Sequence, residues 1–94
     1  MLSIYADIRK EHGKSASRKL RKNNQIPAII YGKLNVPVLI KLNYHDVLNK
    51  KIDKNFFNTL NIIVDNNNIL VKIKRIQKHP YKFKIIHIDF LYVN

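Results

Sequence analysis

The sequence predicts a β-dominated α+β domain, a small closed or nearly closed barrel with short helices. Three observations carry this. Short runs rich in branched apolar residues recur along the chain with period-two alternation, the connections between them are only a few residues long, and the helical segments are too short to form a layer. Ninety-four residues supply one modest core and not two. A hydrophobic fraction of 46% argues against general disorder.

Residues 2–8 alternate, with Leu2, Ile4, Ala6 and Ile8 on one face and Ser3, Tyr5 and Asp7 on the other, which predicts a strand with one buried side. Residues 9–13 follow as a loop. Ser15 is placed to cap a short helix running to Asn23 or Asn24. At 100° per residue, Ala16 and Leu20 share one side of that helix, and Lys14, Ser17, Arg18 and Arg21 cluster on the other. Pro27 is expected to end it, because the residue before a proline disfavours helix.

Strands are then predicted over residues 28–31 and 38–42, with a turn at Asn35, Val36 and Pro37 between them. Asn43, three residues before Asp46, predicts a capped helix over residues 44–51 with Val47 and Leu48 inward. Residues 53–58 read as irregular, with Phe56 and Phe57 expected to plug the core. Residues 60–64 and 69–76 form a hairpin around Asp65, Asn66, Asn67 and Asn68, since asparagine tolerates positive φ. In its second arm Ile69, Val71 and Ile73 face inward, and Leu70, Lys72 and Lys74 outward. His79, Pro80 and Tyr81 turn the chain into a last strand over residues 84–90.

Charge is concentrated. The chain holds 18 Lys+Arg against 6 Asp+Glu, for a net +12. Residues 9–22 hold seven of those bases and one acid, so half the excess falls in fourteen positions. Such a density repels itself unless a polyanion neutralises it, which points to a phosphate backbone. The heavy use of Asn, Ile and Lys, all with A/T-rich codons, suggests an A/T-biased genome and lowers the weight of any single lysine. The cluster keeps its weight.

Catalysis finds little support. The six carboxylates form no local pair, and His12, His45, His79 and His87 show no metal-binding spacing. Two glycines are too few for a phosphate loop, and the absence of cysteine excludes disulfides and thiolate sites. A histidine-dependent nuclease is a remote alternative, and a polar surface is the ordinary place for each His. The N-terminus offers no apolar run of the secretory kind, and no segment reaches the roughly 18 apolar residues of a membrane span. His87 and Asp89 share a face of the last strand, where the carboxylate can orient the imidazole toward a base edge or ribose, or both can be ordinary exposed residues. Tyr31 can likewise stack on a base or simply pack. A charged helix fits the major groove of DNA, or RNA whose groove is widened by non-Watson–Crick pairs. No preceding helix stands at helix-turn-helix spacing.

Three separated motifs narrow the choice. Gly13, Lys14, Ser17, Arg18, Leu20 and Arg21 form the first; Pro27, Ala28, Tyr31 and Gly32 the second; His79, Pro80, His87, Asp89 and Phe90 the third. In this order they resemble the bacterial large-subunit ribosomal protein twenty-five family in its short, 5S rRNA-binding form. Ser15 stands where relatives often carry glycine, and the segment after Tyr31 departs from the family pattern.

The resemblance implies a six-stranded barrel with two or three short helices, a single domain over residues 1–94 without a C-terminal extension. It implies a non-enzymatic protein, monomeric when free, seated on the loop E region of 5S rRNA in the central protuberance of the 50S subunit, in the cytoplasm. Neighbouring ribosomal proteins would be further partners, and no cofactor, metal, DNA or membrane is expected. Carried over by position, the RNA-binding set is Arg9, Lys10, Lys14, Ser17, Arg18, Arg21, Tyr31, Gln77, Lys78, His87 and Asp89. Lys14, Arg18 and Arg21 would chiefly neutralise phosphates. Ser17, Tyr31, Gln77, His87 and Asp89 would supply hydrogen bonds or stacking to ribose and bases. The alternative is a free-standing RNA-binding or stress-associated β-barrel module acting off the ribosome.

Overall fold

A computed structural model describes residues 1–10, 13–32, 36–82 and 84–93. Its strands are β1 (Ser3–Ile8), β2 (Gln25–Tyr31), β3 (Val38–Asn43), β4 (Leu60–Val64), β5 (Asn67–Lys78) and β6 (Ile85–Tyr92). They close into a barrel in the order β1-β3-β2-β6-β5-β4 and back to β1. The β1–β4 and β2–β6 joints are parallel and the others antiparallel. Helix α1 (Lys14–Lys22) lies between β1 and β2 in the chain, and α2 (Tyr44–Asn49) and a 3-10 turn (Ile52–Asn55) lie between β3 and β4. The six-stranded β-dominated barrel is the predicted fold class.

Alternation builds the interior. Ile4 and Ala6, Ile26 and Ile30, Ile40 and Leu42, Ile62 and Val64, Val71 and Ile73, and Ile88 and Phe90 point inward from the six strands. The predicted plug is wrong in its residues. Phe57 is 90% exposed and Phe56 packs on it edge-to-face at 5.5 Å, while Ile52, in the 3-10 turn, is fully buried instead. Leu48 is likewise exposed, and α2 contributes only Val47 to the core. The helix stops at Asn49, so its inward face is a single turn wide.

Element ends show where local chemistry acted. Asn43 caps α2 as predicted, its side chain accepting from the Asp46 amide at 3.1 Å. Ser15 caps nothing. Helix α1 begins two residues earlier than such a cap implies, after Gly13 at φ 107, with no side-chain cap. Nor does Pro27 end α1. Asn24 does, turning left-handed at φ 59 while the amides of Asn23 and Asn24 close on carbonyls of the last turn. Strand β2 therefore starts at Gln25 and runs through Pro27. Pairing with β6 begins only at Ala28, so the missing proline N–H leaves no bond to β6 unmade. The hairpin loop is tighter than predicted, with Asp65 and Asn66 alone at its tip, both at positive φ. The Val36–Pro37 turn is described only in part, because Asn35 lies outside the described residues.

Lys51 also sits left-handed, at φ 50, just past the end of α2, where glycine is the usual occupant. Lys51→Gly is expected to raise stability by roughly 0.5–1 kcal/mol, the relief of side-chain strain less the added freedom of the unfolded chain. A urea midpoint that fell instead would show that the Lys51 side chain contributes more than its backbone costs.

Candidate nucleic-acid interface

Helix α1 is placed by partial apolar docking and by a polar contact to β6. It packs against β2 with Ala16 and Leu20 half-buried, and none of its residues is fully buried. Nine residues make a marginal helix, so tertiary contact must hold it. One such contact reaches across to β6, where the Arg21 guanidinium donates through Nη1 to the Ile86 carbonyl at 3.4 Å. Lys14 and Arg18 remain exposed on the outer side, with Ser17 half-buried beside them. The first turn carries no acid, while Lys19, Arg21 and Lys22 complement the negative end of the helix dipole.

The strand wall beside Arg21 is ordered by one carboxylate. Asp89 is buried, its Oδ1 is 2.7 Å from His87 Nε2 and its Oδ2 is 3.6 Å from Arg75 Nε. Asp89 therefore orients His87 and pairs with the Arg75 charge, and the Arg75 side chain is 71% exposed. Gln77 stands opposite His87 in the β5–β6 pair, and Lys78 opposite Ile85. Tyr31, at the end of β2, lies one strand over, with the Lys74 ammonium 4.9 Å from its ring centre.

Two bulges make this wall. The β5–β6 register slips between Ile73 and Arg75, and slips back between Gln77 and Lys78. The first slip turns Arg75 outward opposite Asp89 and returns Ile76 to the core side. The second gives the core position to Ile85 rather than Ile86. Sequence reasoning missed Lys74 and Arg75 as members of the wall. The signal was present, because Ile76 falls out of phase with Ile69, Val71 and Ile73.

Arg21 of α1 thus reaches β6 at Ile86, the neighbour of His87, which stands opposite Gln77 on β5 and holds Asp89, while Tyr31 at the end of β2 meets β5 through Lys74. Arg9 is elsewhere. The alternation of β1 breaks at its end, so that Ile8 is partly exposed and Arg9 is buried at 8% exposure. Burial, and the nearby Arg21 charge, lower the Arg9 pKa from its ordinary value. Lys10 is exposed next to it. His79 takes a hydrogen-bonded place, its Nδ1 accepting from the Tyr81 amide at 3.1 Å, and His45 is exposed. His12 lies outside the described residues. Among the described residues no three His, Cys, Asp or Glu gather as metal ligands, and no helix is long and apolar enough to cross a membrane.

A barrel wall carrying a strongly basic helix and a row of polar side chains offers a surface suited to a polyanion. Comparison with known proteins identifies the family. Residues 4–90 match the Ribosomal L25p family. Over 92 residues the chain is 46% identical to "Large ribosomal subunit protein bL25" of Proteus mirabilis (strain HI4320), covering 97% of this chain and 98% of that protein. It is 44% identical, with the same coverage, to the protein of the same name from Cronobacter sakazakii (strain ATCC BAA-894). The chain belongs to the Ribosomal L25p family. It is a structural ribosomal protein and not an enzyme.

Proposed function

We propose that the chain binds 5S rRNA at its loop E region, within the central protuberance of the 50S subunit. Its relatives are named as proteins of the large ribosomal subunit. Its place is then the ribosome, in the cytoplasm. Helix α1 lies in a minor groove widened by non-Watson–Crick pairs, with Lys14, Arg18 and Arg21 neutralising phosphates. Ser17, Tyr31, Gln77 and His87 contact ribose and base edges, and Asp89 sets the orientation of His87. Lys74 and Arg75 add two cations to the same wall. The Arg21–Ile86 contact carries the reading, because it joins the helix to the strand wall as one continuous surface.

Binding to 5S rRNA against a control with scrambled loop E, across a salt series, tests it. The expected result is selective binding whose log affinity falls linearly and steeply with log salt. Equal affinity for both RNAs would remove the loop E assignment and favour a general RNA-binding module.

A further inference from the structure

We propose that the turn joining β5 to β6 is a second contact of the chain with RNA, in which the Tyr81 ring stacks on an unpaired base. Lys78 and Lys82 take the phosphates that flank that base. The turn is built to hold the ring out. The His79 amide donates to the Lys84 carbonyl at 2.9 Å, and the Lys84 amide to the Lys82 carbonyl at 2.7 Å. The Tyr81 amide donates to His79 Nδ1 at 3.1 Å, while the two rings stand 6.3 Å apart at 59°, too tilted to stack on each other. Tyr81 is 92% exposed, so both faces of its ring are open. Phe83 lies outside the described residues and is no part of the site.

A single exposed aromatic is ordinary on a protein surface, so its surroundings decide what it is for. Tyr5 has Asp7 two residues away, and Phe57 has Asp53 four residues away and packs on Phe56. Around Tyr81 the sequence is free of acids from Asn66 to Ile88, and that span holds six Lys and Arg. Lys84 is occupied, its ammonium 5.1 Å from the Tyr44 ring centre. Lys78 and Lys82 are exposed, and among the described residues neither pairs with a carboxylate. An open aromatic face among uncommitted ammonium groups suits single-stranded nucleic acid, with a base on the ring and its phosphates on the cations. The turn also continues β5 and β6 beyond the Gln77–His87 pair, so it borders the proposed RNA surface. The inference rests on the chain binding ribosomal RNA, but not on the choice of loop E.

The test titrates the full chain with a single-stranded adenylate hexanucleotide, following the Tyr81 ring resonances by NMR and the affinity by fluorescence anisotropy. A saturable upfield shift of the Tyr81 ring is expected, the mark of a base lying on its face. Tyr81→Leu should weaken binding about fivefold or more, and Tyr81→Phe should keep it. Lys82→Gln should make the slope of log affinity against log salt shallower by about 0.7, one single-strand phosphate contact. These positions are exposed, so none of the variants should move the melting temperature. A ring shift that never saturates, or equal affinity for Tyr81→Leu and the parent chain, overturns the proposal. If Tyr81→Leu binds like Tyr81→Phe while Tyr81→Ala binds poorly, the ring is a plain apolar contact of the kind a protein partner makes, and the proposal fails as well. Replacing Lys14, Arg18 and Arg21 together by alanine should leave the Tyr81 shift in place. A chain that keeps this shift but does not distinguish intact from scrambled loop E loses the loop E reading alone. One that distinguishes them without the shift loses the turn site alone.

Discussion

Phe90→Ala is expected to cost about 3–5 kcal/mol, the range for removing a buried aromatic ring whose cavity the surroundings fill only in part. Among the described residues Phe90 is the largest fully buried side chain, flanked by Ile30 on β2 and Ile73 on β5. A chain of this length has a total stability of roughly 5–14 kcal/mol, so the variant loses about a fifth of it or more. Its melting temperature should fall by about 15–30 °C. Phe57→Ala is the control. Its ring is 90% exposed, and its removal should change stability by no more than about 0.5 kcal/mol. Thermal melts of the two variants decide the matter, and equal losses would mean that the core is not organised around β6. A partial rescue of Phe90→Ala by bound RNA is also expected, since Asp89, its neighbour on the opposite face, lies in the proposed interface.

That contrast shows what the sequence could and could not reveal. Strand interiors were legible because alternation is a property of each strand alone, and Ile4, Ile40, Ile62 and Val71 obey it. Phe56 and Phe57 misled because hydrophobicity says what prefers burial, not what the chain path can deliver. The 3-10 turn delivers Ile52 to the core, and Phe56 and Phe57 follow it on the outside. The bulges in the β5–β6 pair escaped for a related reason. A register slip depends on both strands, and only the phase of Ile76 betrays it within one.

The candidate site divides the same way. A density of +6 over residues 9–22 marked the helix without any knowledge of the fold. The helical wheel then separated Lys14, Ser17, Arg18 and Arg21 from Ala16 and Leu20. What no wheel contains is the partner of each face. Arg75 meets Asp89 through a bulge, and Arg21 meets β6 through a contact spanning 65 residues of sequence. Arg9 reads as one more surface base, yet it lies buried where β1 leaves its alternation.

Replacing Lys14, Arg18 and Arg21 together by alanine should weaken binding to 5S rRNA roughly 100-fold or more near physiological salt, from the loss of three charge-assisted contacts. The slope of log affinity against log salt should become shallower by about three, one unit for each phosphate contact removed. The single variants divide the effect by position. Lys14 and Arg18 are exposed, so each should cost affinity and about one unit of slope without moving the melting temperature. Arg21 also holds α1 to Ile86, so Arg21→Ala should additionally loosen the helix on the barrel and reduce the preference for intact over scrambled loop E. Leu20→Ala separates docking from charge. Leu20 is only half-buried, so its loss should cost less than the 2–5 kcal/mol of a fully buried leucine and leave the salt slope unchanged. An unchanged slope in the triple variant would place the phosphate contacts elsewhere on the barrel, with Lys74, Arg75 and Lys78 of β5 as the next cations to remove.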